Sequence, residues 1–264
     1  MQAEDRKGLA TYWQEKGSGE PVILIHGVGM DHTMWQYQTE FLASYYRVIT
    51  YDMLGHGNSG KPGGEYKLDH YVSQLLGLMD QLSLDQAHIV GFSMGGMVAQ
   101  LFGIIHPDKV KTLTFMNAVA NRSEKEQQAV KNRVKQVERE GHQSTIDAAI
   151  DRWFNEDYRK NNPDLVEKVR ERLKNNDADA YLKSYKVFAA ADQEIWPQLN
   201  EIKKPTLVIT GEGDVGSTPL MAEDIHEQLS NSELVIFPGF KHMLPMENYE
   251  AVNETIFRFI EKHR

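Results

Sequence analysis

Cysteine is absent from this sequence of 264 residues. A chain without cysteine has no disulfide framework, no thiolate nucleophile and no cysteine-based zinc site, so its chemistry must use oxygen or nitrogen groups. Long apolar runs are absent too, because no segment approaches the roughly eighteen consecutive apolar residues that a membrane-spanning helix needs. Residues 1–7 mix acidic and basic side chains without an apolar core, so we expect no targeting segment and a cytoplasmic protein.

Basic residues are too few and too scattered for a nucleic-acid footprint. The chain has 29 lysine and arginine residues against 38 acidic ones, a formal net charge of -9, and no basic block stands out along it. We therefore expect no nucleic-acid or membrane partner and a small molecule as the substrate. The sequence leaves open whether the protein is a monomer or a homodimer.

Short apolar runs predict buried strands, and segments with helical periodicity separate most of them. Runs of this kind indicate strands that are covered on both faces, as in a parallel sheet with helices on each side. We therefore expect one α/β domain with a mostly parallel, doubly wound sheet. A more polar segment at residues 8–13 is predicted as an edge strand. The apolar runs are residues 21–25, 47–51, 87–90, 110–116, 207–210 and 234–237.

Strand signals vanish between residues 117 and 201, where helical signals replace them. Ser123 and Glu126 have the spacing of a capping box, which marks a helix start. We interpret residues 119–201 as a helical lid, inserted before the last two strands of a core formed by residues 1–118 and 202–264. Aromatic side chains of the lid are predicted to face inward, where they either pack together or line a pocket. They are Trp153, Phe154, Tyr158, Tyr181, Tyr185, Phe188 and Trp196.

A serine bracketed by glycines follows the apolar run at residues 87–90. The pattern GFSMGG at residues 91–96, between a strand and a helix, is that of a nucleophile elbow, in which a sharp turn exposes the serine. Glycine is needed there because side chains would clash where strand and helix cross. We predict that Ser93 is a nucleophile and that the Met94 backbone N–H donates to an oxyanion. The alternative is a tight turn whose serine has no chemical role.

A serine nucleophile needs a base, and the base needs an acid that fixes its tautomer. His242 and Asp214 each follow a predicted strand, so both are expected at the sheet edge that carries Ser93. The chain order Ser, Asp, His is that of the α/β-hydrolase triad. Glu212 is the rival acid, but it lies closer to its strand, and we favour Asp214. The other histidines are interpreted as surface, loop-shaping or packing residues.

A second oxyanion donor is expected from the glycine loop after residues 21–25. Val28 follows His26 and Gly27 directly, and its backbone N–H is the natural partner of the Met94 N–H, because acyl transfer uses two preorganised donors. The alternative is that His26 and Gly27 only shape the loop.

Four landmarks of this chain resemble those of the α/β-hydrolase family over nearly the whole sequence. They are residues 26–29, residues 52–59, residues 91–96, and residues 211–214 followed by Lys241 and His242. Within the family, residues 30–35 and 152–154 are similar to the branch of 3-oxoadipate enol-lactonases and carboxylesterases. Enol-lactonases of this branch hydrolyse small carboxylated lactones, and the resemblance implies a similar substrate for this chain.

We therefore expect a serine hydrolase that cleaves a small carboxylic ester or lactone, enol-lactone-like or acyl-homoserine-lactone-like, without a metal or cofactor. The substrate pocket is predicted to include Trp35, Trp153, Tyr158 and Met243. One alternative is a meta-cleavage-type C–C bond hydrolase, although such enzymes typically carry tryptophan where this chain has Met243. Another is a receptor-like relative that binds a ligand with little turnover.

Overall fold

The computed structural model describes residues 10–264, and one sheet runs through that part of the chain. Its strands are β1 (Trp13–Lys16), β2 (Pro21–Ile25), β3 (Arg47–Tyr51), β4 (Ala87–Phe92), β5 (Val110–Met116), β6 (Thr206–Gly211) and β7 (Ser232–Phe237). Their order across the sheet is β1-β3-β2-β4-β5-β6-β7. β1 runs antiparallel to β3, and the other neighbouring pairs are parallel. The predicted fold class is confirmed.

Each connection between successive parallel strands contains at least one helix, which is what a parallel sheet requires. Within residues 10–264 no helix combines the length and the apolar character that a membrane crossing needs. The α-helices are α1 (Gln36–Leu42), α2 (Leu68–Gln81), α3 (Met94–Ile105), α4 (Glu124–Glu140), α5 (Ile146–Trp153), α6 (Glu156–Asn161), α7 (Pro163–Lys174), α8 (Ala178–Ile195), α9 (Pro219–Gln228), α10 (Leu244–Glu247) and α11 (Tyr249–Lys262).

The central strands are buried on both faces, and alternate side chains enter different cores. In β2, Ile23 and Ile25 belong to the core that also contains apolar residues of α2 and α3, whereas Val22 and Leu24 belong to the core that contains residues of α11. This alternation follows from the two-residue period of a strand. It explains why β2 is apolar along its length instead of alternating with polar residues.

Helices α4 to α8 lie between β5 and β6, where the sequence predicts the lid. Ser123 caps α4 through the predicted box: the Glu126 carboxylate accepts from the Ser123 backbone N–H at 2.7 Å, and the Ser123 hydroxyl accepts from the Glu126 N–H at 3.4 Å. Helix α8 packs against α3 and α4. The lid is therefore anchored on the helix that begins at the predicted nucleophile, although its division from the core at residues 119 and 201 stays a prediction.

The edge strand is displaced from its predicted position. The sequence predicts residues 8–13, and residues 8 and 9 lie outside the described part of the chain; the observed β1 is Trp13–Lys16. β1 pairs with β3 on one side only, and its last three side chains are exposed. Because an exposed edge strand needs no apolar pattern, hydrophobicity did not locate it.

Candidate active site

Ser93 stands on the tight turn between β4 and α3. Its backbone has φ +54° and ψ -116°, a region that residues other than glycine rarely occupy. A Cβ on Gly91 would lie 2.2 Å from the Gly95 carbonyl oxygen, so a side chain there would collide with the first turn of α3. Glycine at position 91 is therefore a steric requirement of the turn, and strain is concentrated at the serine.

His242 and Asp214 form a buried hydrogen-bonded pair. The His242 Nδ1 lies 2.6 Å from the Asp214 Oδ2, and the Asn117 amide donates to the same oxygen at 2.8 Å. The Asp214 Oδ1 accepts from the backbone N–H groups of Gly216 and Ser217. Burial alone would raise the pKa of Asp214, but His242 and these hydrogen bonds outweigh it and hold that pKa below its usual range.

Glu212, the rival acid, faces elsewhere. Its side chain is exposed and its Oε2 accepts from the backbone N–H of Gly239 at 2.9 Å. The carboxylate therefore braces the loop that leads to His242 without contacting the imidazole. Of the two acids, only Asp214 is placed to orient His242.

Ser93 and the His242–Asp214 pair line one cavity beneath the lid. The His242 imidazole packs near two aromatic rings, with its centroid 4.9 Å from that of Phe92 and 5.7 Å from that of Trp153. Trp153 belongs to the lid, so the lid helps to set the orientation of this ring. Because the Nδ1–H group of His242 donates to Asp214, the Nε2 of the imidazole stays available as a base.

The predicted oxyanion donors belong to two segments next to Ser93, the turn after β2 and the first turn of α3. The turn around Gly27 approaches the serine so closely that a Cβ on Gly27 would lie 3.2 Å from the Ser93 Cβ. The first turn of α3 packs on the end of β2, where a Cβ on Gly95 would lie 2.3 Å from the Ile25 carbonyl oxygen. In the described part of the chain neither the Val28 nor the Met94 backbone N–H donates a hydrogen bond, so both are available to a ligand at Ser93.

Two histidines tie the loop after β2 to the loop after β3. The His26 Nε2 accepts from the Met53 backbone N–H at 2.9 Å, and burial lowers the pKa of His26, which keeps the ring neutral. The His32 Nδ1 lies 2.7 Å from the Asp52 Oδ1. This hydrogen bond raises the pKa of His32. Burial alone would raise the pKa of Asp52, but the hydrogen bonds that its carboxylate accepts hold that pKa at about 2. The loop-shaping interpretation of His26 is therefore compatible with a nearby oxyanion hole.

The cavity beside Ser93 is small and mostly roofed by the lid. Its volume is about 70 Å³, less than the roughly 300 Å³ at which ligand pockets begin. A substrate therefore requires long side chains of the lining to move aside. The lid contributes Trp153, Tyr181, Tyr185 and Phe188 of the aromatic residues predicted to face inward.

Three arginines also line this cavity, and they differ in their partners. Arg122 is neutralised by Asp192, whose Oδ1 lies 2.7 Å from its Nη1. Arg133 donates to the Tyr185 hydroxyl, at 3.0 Å. Within residues 10–264, neither Arg133 nor Arg152 forms a salt bridge. Burial lowers the pKa of the Arg152 guanidinium and the nearby Arg133 charge lowers it further, while the Asp151 carboxylate acts in the opposite direction. Two cations without salt bridges thus line the cavity beside Ser93.

Three residues predicted to line the pocket do not line it. Trp35 is fully buried and packs edge-on against Phe92, with 6.4 Å between the ring centroids, in the same apolar core. Tyr158 stacks on Phe154 at 5.5 Å and is not among the residues that line the cavity. Met243 is fully buried, and its backbone N–H donates to the Trp153 carbonyl at 2.9 Å. Trp153 is the predicted pocket residue that does line the cavity.

Sequence reasoning missed Asn117 and the two unpaired arginines. A signal for Arg133 existed, because it lies between Val130 and Val137 on the inward face of α4. Asn117 directly follows β5 and has φ +48°, but nothing in its local sequence points to Asp214, 97 residues further along.

Other features of the structure do not converge on Ser93. A larger groove, of about 620 Å³, lies between residues 64–69 and α8 and contains none of the predicted site residues. It is an open surface groove, whereas Ser93, His242 and the Asp214 carboxylate, whose pKa is lowered, line the smaller cavity, which is the candidate site. In the part of the chain described, no cluster of three or more histidine, aspartate or glutamate side chains is arranged to hold a metal ion.

Comparisons with known proteins match nearly the whole chain. A family model described as alpha/beta hydrolase fold matches residues 20–249. The chain is similar to (E)-2-((N-methylformamido)methylene)succinate hydrolase of Acinetobacter baylyi, with 30% identity over 95% of this chain and 94% of the relative. It is 31% identical to 3-oxoadipate enol-lactonase 2 of the same organism, over 89% of this chain and 86% of that protein. The crystal structure of an enol-lactonase from Burkholderia xenovorans LB400 superposes with a TM-score of 0.89 and 27% identity, over 95% and 96% of the two chains.

Proposed function

Because this chain belongs to the α/β-hydrolase family, we propose that it is a serine hydrolase that cleaves a small ester or lactone bearing a carboxylate group. The observation that carries the proposal is one cavity lined by Ser93, the His242–Asp214 pair and two arginines that form no salt bridge within residues 10–264. The first three groups fit acyl transfer. The arginines fit an anionic substrate.

In the proposed acylation step, the Ser93 hydroxyl oxygen attacks the ester carbonyl carbon while the His242 Nε2 removes the hydroxyl proton. The negative charge that develops on the carbonyl oxygen is stabilised by the Val28 and Met94 backbone N–H groups. Collapse of the tetrahedral intermediate breaks the ester C–O bond. The leaving oxygen takes the proton from His242, and it stays attached to the acyl group when the substrate is a lactone.

Deacylation repeats the same chemistry with water as the nucleophile. His242 removes a proton from water, the hydroxide adds to the acyl-enzyme carbonyl, and Ser93 leaves with the proton returned by His242. Asp214 stays ionised throughout because its hydrogen bonds favour the charged form. The products are a carboxylate and an alcohol, or one hydroxy or oxo acid from a lactone.

The case for a carboxylated substrate is electrostatic. A partly buried cation without a counter-ion is unfavourable, and a substrate carboxylate would relieve two such cations at once. The local charge is opposite in sign to the net charge of -9 of the whole chain, so the cavity would concentrate anions that the rest of the surface repels. Two relatives are named for a succinate derivative and an oxoadipate lactone, in keeping with this proposal.

A matched pair of probes tests the proposal. Mono-p-nitrophenyl succinate and p-nitrophenyl butyrate have four-carbon acyl groups and differ in the terminal carboxylate. We expect the succinate ester to have the higher kcat/KM, and Arg152→Met to lower its kcat/KM about 10- to 100-fold, the worth of one charged hydrogen bond. The butyrate ester should be little affected. Arg139→Met, which changes an exposed arginine of α4, is the matched control.

Ser93→Ala should abolish hydrolysis of both probes while the fold is retained. Activity above a few per cent in that variant would place the chemistry elsewhere, and a preference for the butyrate ester would remove the carboxylate from the proposal. A burst of p-nitrophenol without turnover would instead favour the receptor-like alternative. Preference for vinylogous diketones over esters and lactones by tenfold or more would favour the C–C hydrolase alternative.

A further inference from the structure

The lid forms a direct hydrogen bond with the Gly27–Met30 turn, which carries the predicted oxyanion donor Val28. Asn176, in the turn between α7 and α8, donates from its Nδ2 to the Gly29 carbonyl oxygen at 2.9 Å. The neighbouring Arg172 approaches the same oxygen through its Nε at 3.4 Å and the Asp31 carboxylate at 3.3 Å. Arg172 also donates to the Asn176 Oδ1, which holds the amide in the orientation that points its N–H group at Gly29.

Gly29 belongs to the turn that presents the proposed oxyanion donor. The Met30 N–H donates to the Gly27 carbonyl at 3.2 Å, which closes a tight turn with Val28 and Gly29 at its centre. Gly29 has φ +79°, and a Cβ there would lie 2.8 Å from Leu173 and 3.0 Å from Tyr181 of the lid. The lid is thus packed onto the turn without space between them.

The buried position of Asn176 makes this contact specific. Its side chain is almost inaccessible, and its Nδ2 also donates to the Leu173 carbonyl at 3.1 Å. The Asn176 side chain is short and buried, and its amide donates hydrogen bonds to two carbonyl oxygens. It therefore restricts rotation of the Gly29 carbonyl. Rotation of the peptide units in this turn would change the direction of the Val28 N–H.

We propose that Asn176 is a positioning residue for the oxyanion hole, which holds the Gly27–Met30 turn so that the Val28 N–H points at the Ser93 site. The inference rests on the proposed serine hydrolase function. It makes the lid part of the catalytic geometry as well as the cover of the cavity, because core residues hold one side of this loop and the lid holds the other.

Asn176→Ala tests the proposal against Asn175→Ala, an exposed neighbour in the same turn. We expect Asn176→Ala to lower kcat about tenfold or more with KM changed less than twofold, because an oxyanion contact acts on the transition state. Affinity for phenylboronic acid, which forms a tetrahedral adduct with a serine, should fall by a similar factor. Asn175→Ala should change none of these quantities.

A purely structural role predicts a different result. Then Asn176→Ala would lower thermal stability but leave kcat and the boronate affinity as they are, or it would raise KM alone, and either outcome overturns the proposal. Should Asn176→Ala fail to fold, Asn176→Asp and Arg172→Gln weaken the same contact with smaller changes in volume, and the same fall in kcat is required of them. If Ser93→Ala retained activity, the proposed serine hydrolase function would be overturned. If Ser93→Ala were inactive and Asn176→Ala fully active, only the positioning role of Asn176 would be overturned.

Discussion

Asp214 and Glu212 stand two residues apart after β6, yet they have different partners. The Asp214 carboxylate contacts the His242 imidazole, whereas the Glu212 carboxylate binds the Gly239 backbone. We expect Asp214→Asn to lower kcat about 10⁴-fold, because an amide favours the wrong imidazole tautomer and leaves the imidazolium without its counter-charge. Glu212→Gln keeps a hydrogen-bond acceptor for Gly239, so we expect a change in kcat of less than threefold. Both rates are measured with p-nitrophenyl acetate at saturation, and the reverse ranking would reassign the acid.

At the same scale, the sequence predicts residues tied to local motifs and misses those placed by distant contacts. Ser93 is recognisable because its turn demands glycines at fixed offsets, and His242 and Asp214 because parallel strands end at one edge. Arg152 enters the cavity only through the packing of α5 against other lid helices. Trp35 packs into the core, because a large aromatic after a site loop does this as readily as it lines a pocket.

At the scale of elements, apolar runs located the buried strands closely. The predicted runs at residues 21–25, 47–51 and 110–116 coincide with β2, β3 and β5. Helix α2 begins at Leu68, with Lys67 as N-cap. Asp69 lies in the first turn, where its negative charge is favourable. Boundaries depend on single hydrogen bonds, which a hydrophobic pattern does not report.

The capping box of α4 was predicted from two residues, and its worth is measurable. We expect Ser123→Ala to lower the free energy of unfolding by about 1 kcal/mol, because the Glu126 backbone N–H loses its acceptor and the Glu126 carboxylate loses the Ser123 hydroxyl. Ser123→Asn keeps an acceptor at the cap and should lose less. Urea unfolding of the three proteins at one pH measures both differences. An equal loss in the two variants would mean that the cap contributes through something other than its acceptor.

At the scale of the whole molecule, the two faces of the site belong to different parts of the chain. The core supplies Ser93, His242 and Asp214, and the insertion between β5 and β6 supplies the arginines and most of the aromatic lining. The core therefore carries the part of the site that motifs predict, and the lid carries the arginines that the proposed function assigns to substrate binding. This division explains why reaction type follows from the sequence more directly than substrate does.

Acid sensitivity is a property of the whole fold, because several histidines are buried and neutral. Burial holds the pKa of His56 at about 3, its Nδ1 donates to the Leu54 carbonyl, and its Nε2 has no hydrogen-bond partner among the described residues. Because this folded pKa lies below the unfolded value of about 6.5, the unfolded chain binds the extra proton first. The stability that His56 contributes is therefore complete above about pH 6.5 and is lost as the pH falls toward 3.

For His56 alone, this linkage should remove about 1.4 kcal/mol of unfolding free energy between about pH 7.5 and pH 5.5. His56→Asn keeps a donor for Leu54 but does not titrate. We therefore expect the variant to be less stable than the parent at about pH 7.5, with a deficit that shrinks by about that amount at pH 5.5. Urea unfolding of both proteins at the two pH values measures how the gap between their unfolding free energies changes with pH. A deficit that stays the same, or grows in acid, would mean that His56 does not resist protonation in the fold, and that the loop between β3 and α2 opens or hydrates before the chain unfolds.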